Sequence, residues 1–514
     1  MTELVHNDVV LIGGGVGSLT AAALLAGSGR SVTVLEHNHV AGGCASSFYR
    51  QGYWFESGAT TLVGLDAGMP LRHVLDRTGI RFDVIALETP MQVHLADGTA
   101  ITRHQNLNAW IDEAERVFGP RGQRAFWEFC YDVSRFVWDT SLLYPAFPPS
   151  NFRDVFDSLP RVRPAQLLRA RFAFQTMQTL LRNYDLLSNA RFVAFVNEQL
   201  MITAQNTIEE VNVLFGATAL CYTNYTNYYV PGGLIRMVNA FSDYIRAHAS
   251  QVVCRTTATA IKRDAAGRGF QIATRTPGVA YTAPCVISGI PIHNTLELLD
   301  DARFTRRYAQ RALPSHKLWS AFTMGLVFRA ADGPDGSAVG ARNSGAPARP
   351  PVLHHQIHLD RPLPGIGARS IFLSLSHADD RLRGPDQHTI ASISTHIPDP
   401  ERNESLDVAA IESAIIQTLV ERGFVAEDRI VYRHSSTPRT WLQWTRRKFG
   451  QVGGHPQYRK IKPWRMIDAR LCPGLYQCGD TAYPGQGIPG ACLSGIIAHH
   501  KLSRDYGDFR AGSA

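Results

Sequence analysis

The residues of this chain whose types and spacing could do chemistry are three glycine clusters and two acids. Gly13, Gly14, Gly15 and Gly17 follow directly on the apolar run Val9 to Ile12. The Ala/Leu-rich stretch Leu19 to Leu25 comes next, and a β-branched run, Val32 to Leu35, ends on Glu36. Glycine at 13 permits a tight turn and glycine at 15 lets main chain come close to a pyrophosphate. A helix opening near Val16 and Gly17 would offer free N–H groups and the positive end of its dipole to the same anion. Glu36 stands where an acid accepts hydrogen bonds from a ribose diol. Ser18 replaces the third glycine of the usual spacing, and its small side chain should still permit close helix–strand packing. Taken alone, this βαβ unit allows NAD, NADP or FAD.

The other clusters lie downstream. Gly42, Gly43 and Cys44 form a turn whose N–H groups can cradle a second phosphate or the edge of a flavin. Near the C-terminus a strand ends in Gly479-Asp480, and Gly485-Gln486-Gly487-Ile488-Pro489 turns into a small-residue helix, Gly490 to His500. The carboxylate of Asp480 can accept from ribitol hydroxyls or hold a pyrophosphate through water. The turn lets main chain pass close to a planar ring, and the helix behind it favours a reduced, anionic flavin.

The elements that must position these residues belong to a long globular chain. Its 514 residues are 45% hydrophobic and 19% charged, which implies two or three domains and excludes a disordered protein. The net charge of +8 could answer to nucleic acid, an acidic substrate or an anionic membrane surface, or mark a mildly basic enzyme with no polyanionic partner; no nucleic-acid partner is expected. The eight cysteines show no CxxC pair and read as reduced, mostly buried thiols, Cys44 and Cys478 among them. No signal peptide and no apolar run long enough to span a bilayer is apparent, so the expected location is cytoplasmic and peripheral to a membrane. Leu71 to Asp157 reads as helical. Arg161 to Tyr184 reads as a basic amphipathic helix suited to a membrane interface, or as a buried lid. Phe192 to Gln205 continues helical, and Tyr222 to Tyr229 is dense in tyrosine. Strands are expected at Val252 to Ile261, Phe270 to Thr274, Cys285 to Ser288, Val352 to His358, Ser370 to Ser376 and Thr389 to His396. Ala330 to Pro351 reads as a surface insertion.

With both ends in view, the chain resembles the flavoprotein family of carotenoid desaturases, carotenoid isomerases and retinol saturases, from about Asn7 to Lys501. The blocks that carry this are VLIGGGVGSLTAA, GGCASSFYRQGYWFESGATTLVGL, EQLMITAQ and GLYQCGDTAYPGQGIPGACLSG. The second and third are most similar to the C-3',4' desaturase branch. The resemblance implies that Gly13, Gly15, Val16, Gly17 and Ser18 bind the FAD pyrophosphate and Glu36 the adenosine ribose. Gly42, Gly43, Cys44, Gly58, Ala59 and Thr60 would line the flavin, and Ala258 would meet the adenine. Gly479, Asp480, Gly487, Ile488 and Pro489 would hold the ribitol and pyrimidine end. Two departures stand out. Cys44 occupies a position where many relatives place Arg, and Glu56 replaces the usual Asp.

The fold this implies is α/β: an FAD-binding, Rossmann-like (glutathione-reductase-like) domain with a discontinuous α+β substrate domain. The expected FAD segments are 1–95, 225–296 and 435–514, with 96–224 and 297–434 forming the substrate domain or lid. The expected activity is FAD-dependent desaturation of a long apolar isoprenoid. Carotenoid cis-trans isomerisation, saturation with reduced FAD, and flavin amine oxidation remain open, as does the electron acceptor (oxygen or a quinone). There is no second dinucleotide fingerprint for a nicotinamide, no metal-ligand spacing and no GxSxG elbow. Glu198, Gln205, Tyr483 and His455 are polar residues near the quoted blocks, yet no spacing compels any as the acid–base group, which stays unassigned.

Overall fold

The computed structural model describes residues 3–158, 160, 164–264, 267–299, 306, 308–329, 352–403 and 406–507. The run Val9–Ile12 is a strand buried at all its residues, as an unbroken apolar run between two covered faces should be. It lies inside a six-stranded sheet with the order Gln251–Val253, Val32–Leu35, Val9–Ile12, Cys285–Ser288, Leu475–Gln477 and Arg470–Cys472. All neighbours are parallel except the last pair. The helix Val16–Gly27 covers one face and is itself buried from Val16 to Ala26. It is wedged between the helices Ile235–Ala247 and Ile488–Tyr506, so first and last segments of the chain close one core.

A four-stranded sheet, Glu3–His6, Val279–Ala283, Phe270–Thr274 and Ala258–Arg263, flanks this unit. The run expected as one strand from Val252 to Ile261 is therefore two. Arg255 adopts a positive φ of 57°, which turns the chain out of the first sheet before it enters the second.

The third sheet has seven strands: Ile430–Ser436, Trp319–Arg329, His388–Pro398, Ser370–Leu375, His354–His358, Met91–His94 and Ala100–Arg103. Its last two strands lie in the stretch expected to be helical from Leu71 to Asp157. Apolar and half-buried residues alternate along Met91–His94, and Asp97 Oδ1 accepts from the Thr99 N–H to form the hairpin turn. Met91–His94 pairs with His354–His358, so this sheet takes in a strand from the segment assigned to the FAD domain, 1–95. The helical reading holds further on, at Leu107–Phe118 and Gln123–Ser141.

Those two helices pack with Ala190–Thr203 and Val213–Leu220 around Trp110, Trp127, Phe126, Phe192 and Phe195. Arg103 is buried among them. Its guanidinium lies 4.1 Å from the Trp110 ring centroid and donates to Gln199. The expected helix from Arg161 to Tyr184 is instead three short pieces: Pro164–Ala170, the 3₁₀ turn Arg171–Phe174, and Met177–Asn183. Extended backbone at Gln175 and the Thr176 cap on the Thr179 N–H cause the break. Arg161, Arg163 and the insertion from Ala330 to Pro351 lie outside the described residues.

Candidate active site

A cavity of about 790 Å³ runs between the six-stranded sheet, the seven-stranded sheet and the helical layer. Gly13, Gly15, Val16, Gly17, Glu36, Gly42, Gly43, Cys44, Gly58, Ala59, Thr60, Gly479, Asp480, Gly487, Ile488 and Pro489 all line it. Residues from the two ends of the chain thus face one space.

The inner end has the features of an anion and diol site. Gly13 turns with φ 88°, a conformation that favours glycine. Nothing stands within 4 Å of where a Gly15 side chain would be, leaving room for a close approach. The helix after Gly15 has no side-chain cap, and neither does the helix after Gly487, so two sets of free N–H groups and two positive dipole ends converge on the cavity. Glu36 accepts from the Gly14 N–H at 2.7 Å and from the Asn38 N–H at 2.7 Å, which fixes its carboxylate at the cavity wall. Burial raises the pKa of Glu36, against those N–H bonds, which lower it.

Gly17 joins the two ends of the chain. A Cβ there would lie 2.8 Å from the Gly479 nitrogen and 3.0 Å from the Ala491 oxygen. Ser18 turns its side chain away from the cavity, 3.8 Å from Cys478 Sγ, and its backbone N–H stays in the free first turn. Ser18 fits because Gly289 faces it: a Cβ on Gly289 would come within 1.8 Å of the Ser18 hydroxyl. Ala258 stands in the four-stranded sheet and is not among the lining residues.

The two departures resolve differently. Glu56 does not line the cavity. It is a buried acid that pairs with Arg383, accepts from Ser47 Oγ at 2.6 Å and accepts from the Leu234 N–H at 3.2 Å. It therefore ties the 47–56 hairpin to the start of the helix Ile235–Ala247. Cys44 lines the cavity, and burial pushes its thiol up, opposed by the charge of Arg447. Arg447 is the residue that sequence reasoning missed. It pairs with Asp480, donates to the Gly453 carbonyl, and keeps a buried Nε without a partner.

The outer part of the cavity is walled by Phe136, Trp138, Phe147, Leu214, Phe215 and Phe372. Trp464 lines it too and is 46% exposed, which places an opening there. Tyr222 and Tyr225 of the tyrosine-rich stretch reach the cavity, but their hydroxyls are engaged, by Met91 Sδ at 3.6 Å and by Ser134 at 3.1 Å. Among the described lining residues the acids are Glu36 and Asp480, both at the inner end. Of the polar residues left unassigned, Gln205 and Tyr483 line the cavity, whereas Glu198 bonds Ser370 and His455 is buried beside His293. His354, His355 and His396 line it as well. Among the described residues, no group of three or more His, Cys, Asp or Glu could hold a metal.

These residues fit a dinucleotide that carries a planar ring. An open approach at Gly15, two uncapped helix ends and a fixed acid at Glu36 suit the diphosphate and its ribose. The glycine-lined walls at 42–44, 58–60 and 487–489 suit the ring.

Comparison with known proteins agrees with this geometry. The profile of the family described as flavin containing amine oxidoreductase matches residues 19–498. Prolycopene isomerase 2 of an Oncidium hybrid cultivar is 24% identical over 539 residues, covering 98% of this chain and 85% of that one. Phytoene desaturase of Cercospora nicotianae is 33% identical over 124 residues, covering 23% of this chain and 20% of that one. A double mutant of putrescine oxidase shares the fold, with a TM-score of 0.63 at 13% identity over 98% of this chain and all of that one.

Proposed function

This chain belongs to the flavin-containing amine oxidoreductase family and is an FAD-dependent enzyme, and from that premise we propose that it desaturates a long apolar isoprenoid. One observation carries the reading: beyond the glycine-lined end, the described cavity wall combines aromatic and aliphatic side chains with neutral hydroxyls, amides and imidazoles, and offers no carboxylate. An ammonium substrate would enter such a space without a counter-charge, at a desolvation cost of several kcal/mol. A polyene loses nothing there and gains roughly 25 cal/mol for each Å² of apolar surface it buries.

In this reading the bound flavin supplies two-electron redox chemistry. The chain holds the pyrophosphate at the helix starting at Val16, the ribose at Glu36 and the ring against the glycine walls. The apolar wall aligns the isoprenoid and excludes water. Geometric isomerisation is the second reading, and one finding favours it: the similarity to prolycopene isomerase runs along 98% of the chain, against 23% for phytoene desaturase. Incubation of the FAD-loaded enzyme with phytoene, lycopene and prolycopene, aerobically and after anaerobic reduction, tests both. Longer-wavelength absorbance from an oxidised enzyme supports desaturation, and a cis-to-trans shift from the reduced enzyme supports isomerisation. Release of hydrogen peroxide from amines alone would overturn both.

We further propose that the opening docks on an anionic membrane surface. Phe152, Phe156, Leu168 and Phe174 are exposed close in sequence to the lining residues Ser158, Gln166, Ala170 and Ala173. The Phe174 ring lies tilted against Trp464, with centroids 5.3 Å apart, and Lys462 lies over its ring at 5.2 Å. No helix among the described residues is long and apolar enough to cross a membrane. Exposed aromatics with cationic neighbours instead suit insertion into the interface, where an apolar substrate resides.

A further inference from the structure

The seven-stranded sheet turns one face to the cavity, and along the strand His388–Pro398 that face carries Ser394 and His396. Ile393 and Ile397, on the opposite face by the alternation of a strand, are buried in the core behind the sheet. His396 is half-buried, and its ring stands nearly perpendicular to those of Trp319 and Phe372, with centroids 6.0 and 5.9 Å away. That packing orients the imidazole and leaves its nitrogens open. Among the described residues neither nitrogen has a hydrogen-bond partner, and neither is sealed from accessible space. A neutral imidazole has one protonated and one bare nitrogen. With no partner to select between them, His396 offers a lone pair in either tautomer.

The other basic groups on the described wall are engaged. His355 uses both nitrogens, Nδ1 with His94 at 3.2 Å and Nε2 with the Val352 carbonyl at 2.9 Å. His354 meets Ser374 Oγ at 2.9 Å through Nδ1, and its Nε2 is enclosed by protein. Asp480 is paired with Arg447, and Glu36 accepts two backbone N–H bonds at the inner end.

His396 also stands at a useful place. It faces Ala321 across the antiparallel ladder. The strand that carries Ala321 is bound to the 450–453 segment: the Trp319 carbonyl accepts from the Val452 N–H at 2.9 Å, and Ser320 Oγ donates to the Gly450 carbonyl at 2.6 Å. Gly453 in turn accepts from Arg447, the partner of Asp480. The imidazole is thus held where the apolar wall, at Phe372, meets the end suited to the ring.

We propose that His396 is the proton acceptor of the reaction on the isoprenoid. The inference rests on the desaturation reading. Two hydrogens leave adjacent substrate carbons. One departs with its bonding pair as hydride to the oxidised flavin, and the neighbouring C–H gives only its proton to the bare imidazole nitrogen. The electron pair of that second bond becomes the new π bond. Oxygen or a quinone then takes the two electrons from the cofactor, and the imidazolium returns its proton to water. Burial lowers the His396 pKa to about 4, so the ring is neutral and able to accept at pH 7. A weak base suffices, because a carbon next to an allylic cation is strongly acidic, and a weak base also releases the proton readily.

Two measurements on the FAD-loaded protein test this. The first is carbethoxylation by diethyl pyrocarbonate, mapped by peptide mass, which reads the open nitrogens without reference to turnover. His396 should be modified, and a polyene that bleaches the flavin should protect it. The second is the rate at which phytoene or lycopene bleaches the flavin under anaerobic mixing. His396→Phe keeps an aromatic ring in the packing and should retain FAD, judged by its visible spectrum, while bleaching slows about 10²- to 10⁴-fold. His396→Ala should be slowed alike and regain at least about tenfold with added imidazole. Pyrrole, which fills the same space without a basic nitrogen, should restore nothing. Should either variant fail to fold, the carbethoxylation of the parent still decides. An unmodified His396, no protection by a polyene that bleaches the flavin, or His396→Phe bleaching at the parent rate would overturn the proposal. A parent enzyme that no polyene bleaches sinks the desaturation reading and this role with it, whereas a parent that bleaches beside an equally fast variant sinks the role alone.

Discussion

Arg447 grips Asp480 with both ends of its guanidinium, Nη1 to Oδ2 at 2.9 Å and Nη2 to Oδ1 at 3.1 Å. The pair lines the cavity beside Cys44. The positive charge absent from position 44 thus reaches the same place from the C-terminal segment, and it also fixes the carboxylate at the end of the strand Leu475–Gln477. The pair is largely but not fully enclosed, so stranding one of its charges costs less than the about 3–5 kcal/mol of a fully buried pair. Arg447→Met should therefore weaken FAD binding by at least about tenfold, as read by flavin fluorescence titration of the apoprotein. Adding Cys44→Arg to that variant should recover part of the loss. Unchanged affinity in Arg447→Met would show that the pair is only structural.

Gly17 makes a second prediction, on geometry alone. An alanine methyl would meet the Gly479 nitrogen at 2.8 Å and the Ala491 oxygen at 3.0 Å, and both are backbone atoms that cannot swing aside. The two uncapped helices would be forced apart at the point where they share the cavity. Gly17→Ala should lower the melting temperature by several degrees, in line with the roughly 1–3 kcal/mol cost of overpacking, and should yield protein depleted of FAD. A yellow, normally stable variant would refute this.

Why some of this was legible and some was not follows from sequence separation. The nucleotide unit shows in the chain because its buried parallel strands are unbroken apolar runs and its glycines sit at turn spacing. The resemblance then assigned the walls at 42–44, 58–60 and 487–489, which the fold brings to one cavity. The compensating contacts were hidden. Ser18 is accommodated by Gly289, and Cys44 by Arg447, across spans that no local pattern links. His354 was hidden for another reason. His354–His358 is polar at most positions and yet wholly buried, so composition describes a half-exposed strand. Met91–His94 was lost inside a helical stretch because four residues are too few to establish an alternation.

That buried histidine row has a thermodynamic signature. Desolvation lowers His94, His354 and His358 to about 4 and His355 to about 3, below their ordinary value near 6.5. Between those limits the unfolded chain binds protons that the folded chain refuses, so stability is complete above pH 6.5 and falls as pH drops toward 4. One such group contributes on the order of 3 kcal/mol to this loss. Urea unfolding midpoints should be level from pH 7 to 8 and decline steeply from pH 6.5 to 4.5, and His358→Phe should flatten the decline. A midpoint that holds or rises on acidification would contradict the neutral, desolvated state of these rings.

The last prediction concerns the opening of the cavity. Phe152 and Phe156 are 86% and 69% exposed, and they stand on one turn-and-a-bit of the short helix Phe152–Ser158. That helix is anchored by Asp154, which accepts from Arg470 at 2.8 Å and from the Ser150 N–H at 2.9 Å, so the two rings are presented on a fixed base. Each ring transferred into an interface is worth on the order of 1–3 kcal/mol. Changing both to Asp adds charges that an anionic surface repels, while leaving the buried anchor intact. The double variant should lose at least about tenfold in co-sedimentation with phosphatidylglycerol vesicles and retain full turnover of a detergent-solubilised polyene. Equal loss in detergent would place these rings in substrate binding rather than docking. Unchanged sedimentation would remove the membrane from this face of the protein.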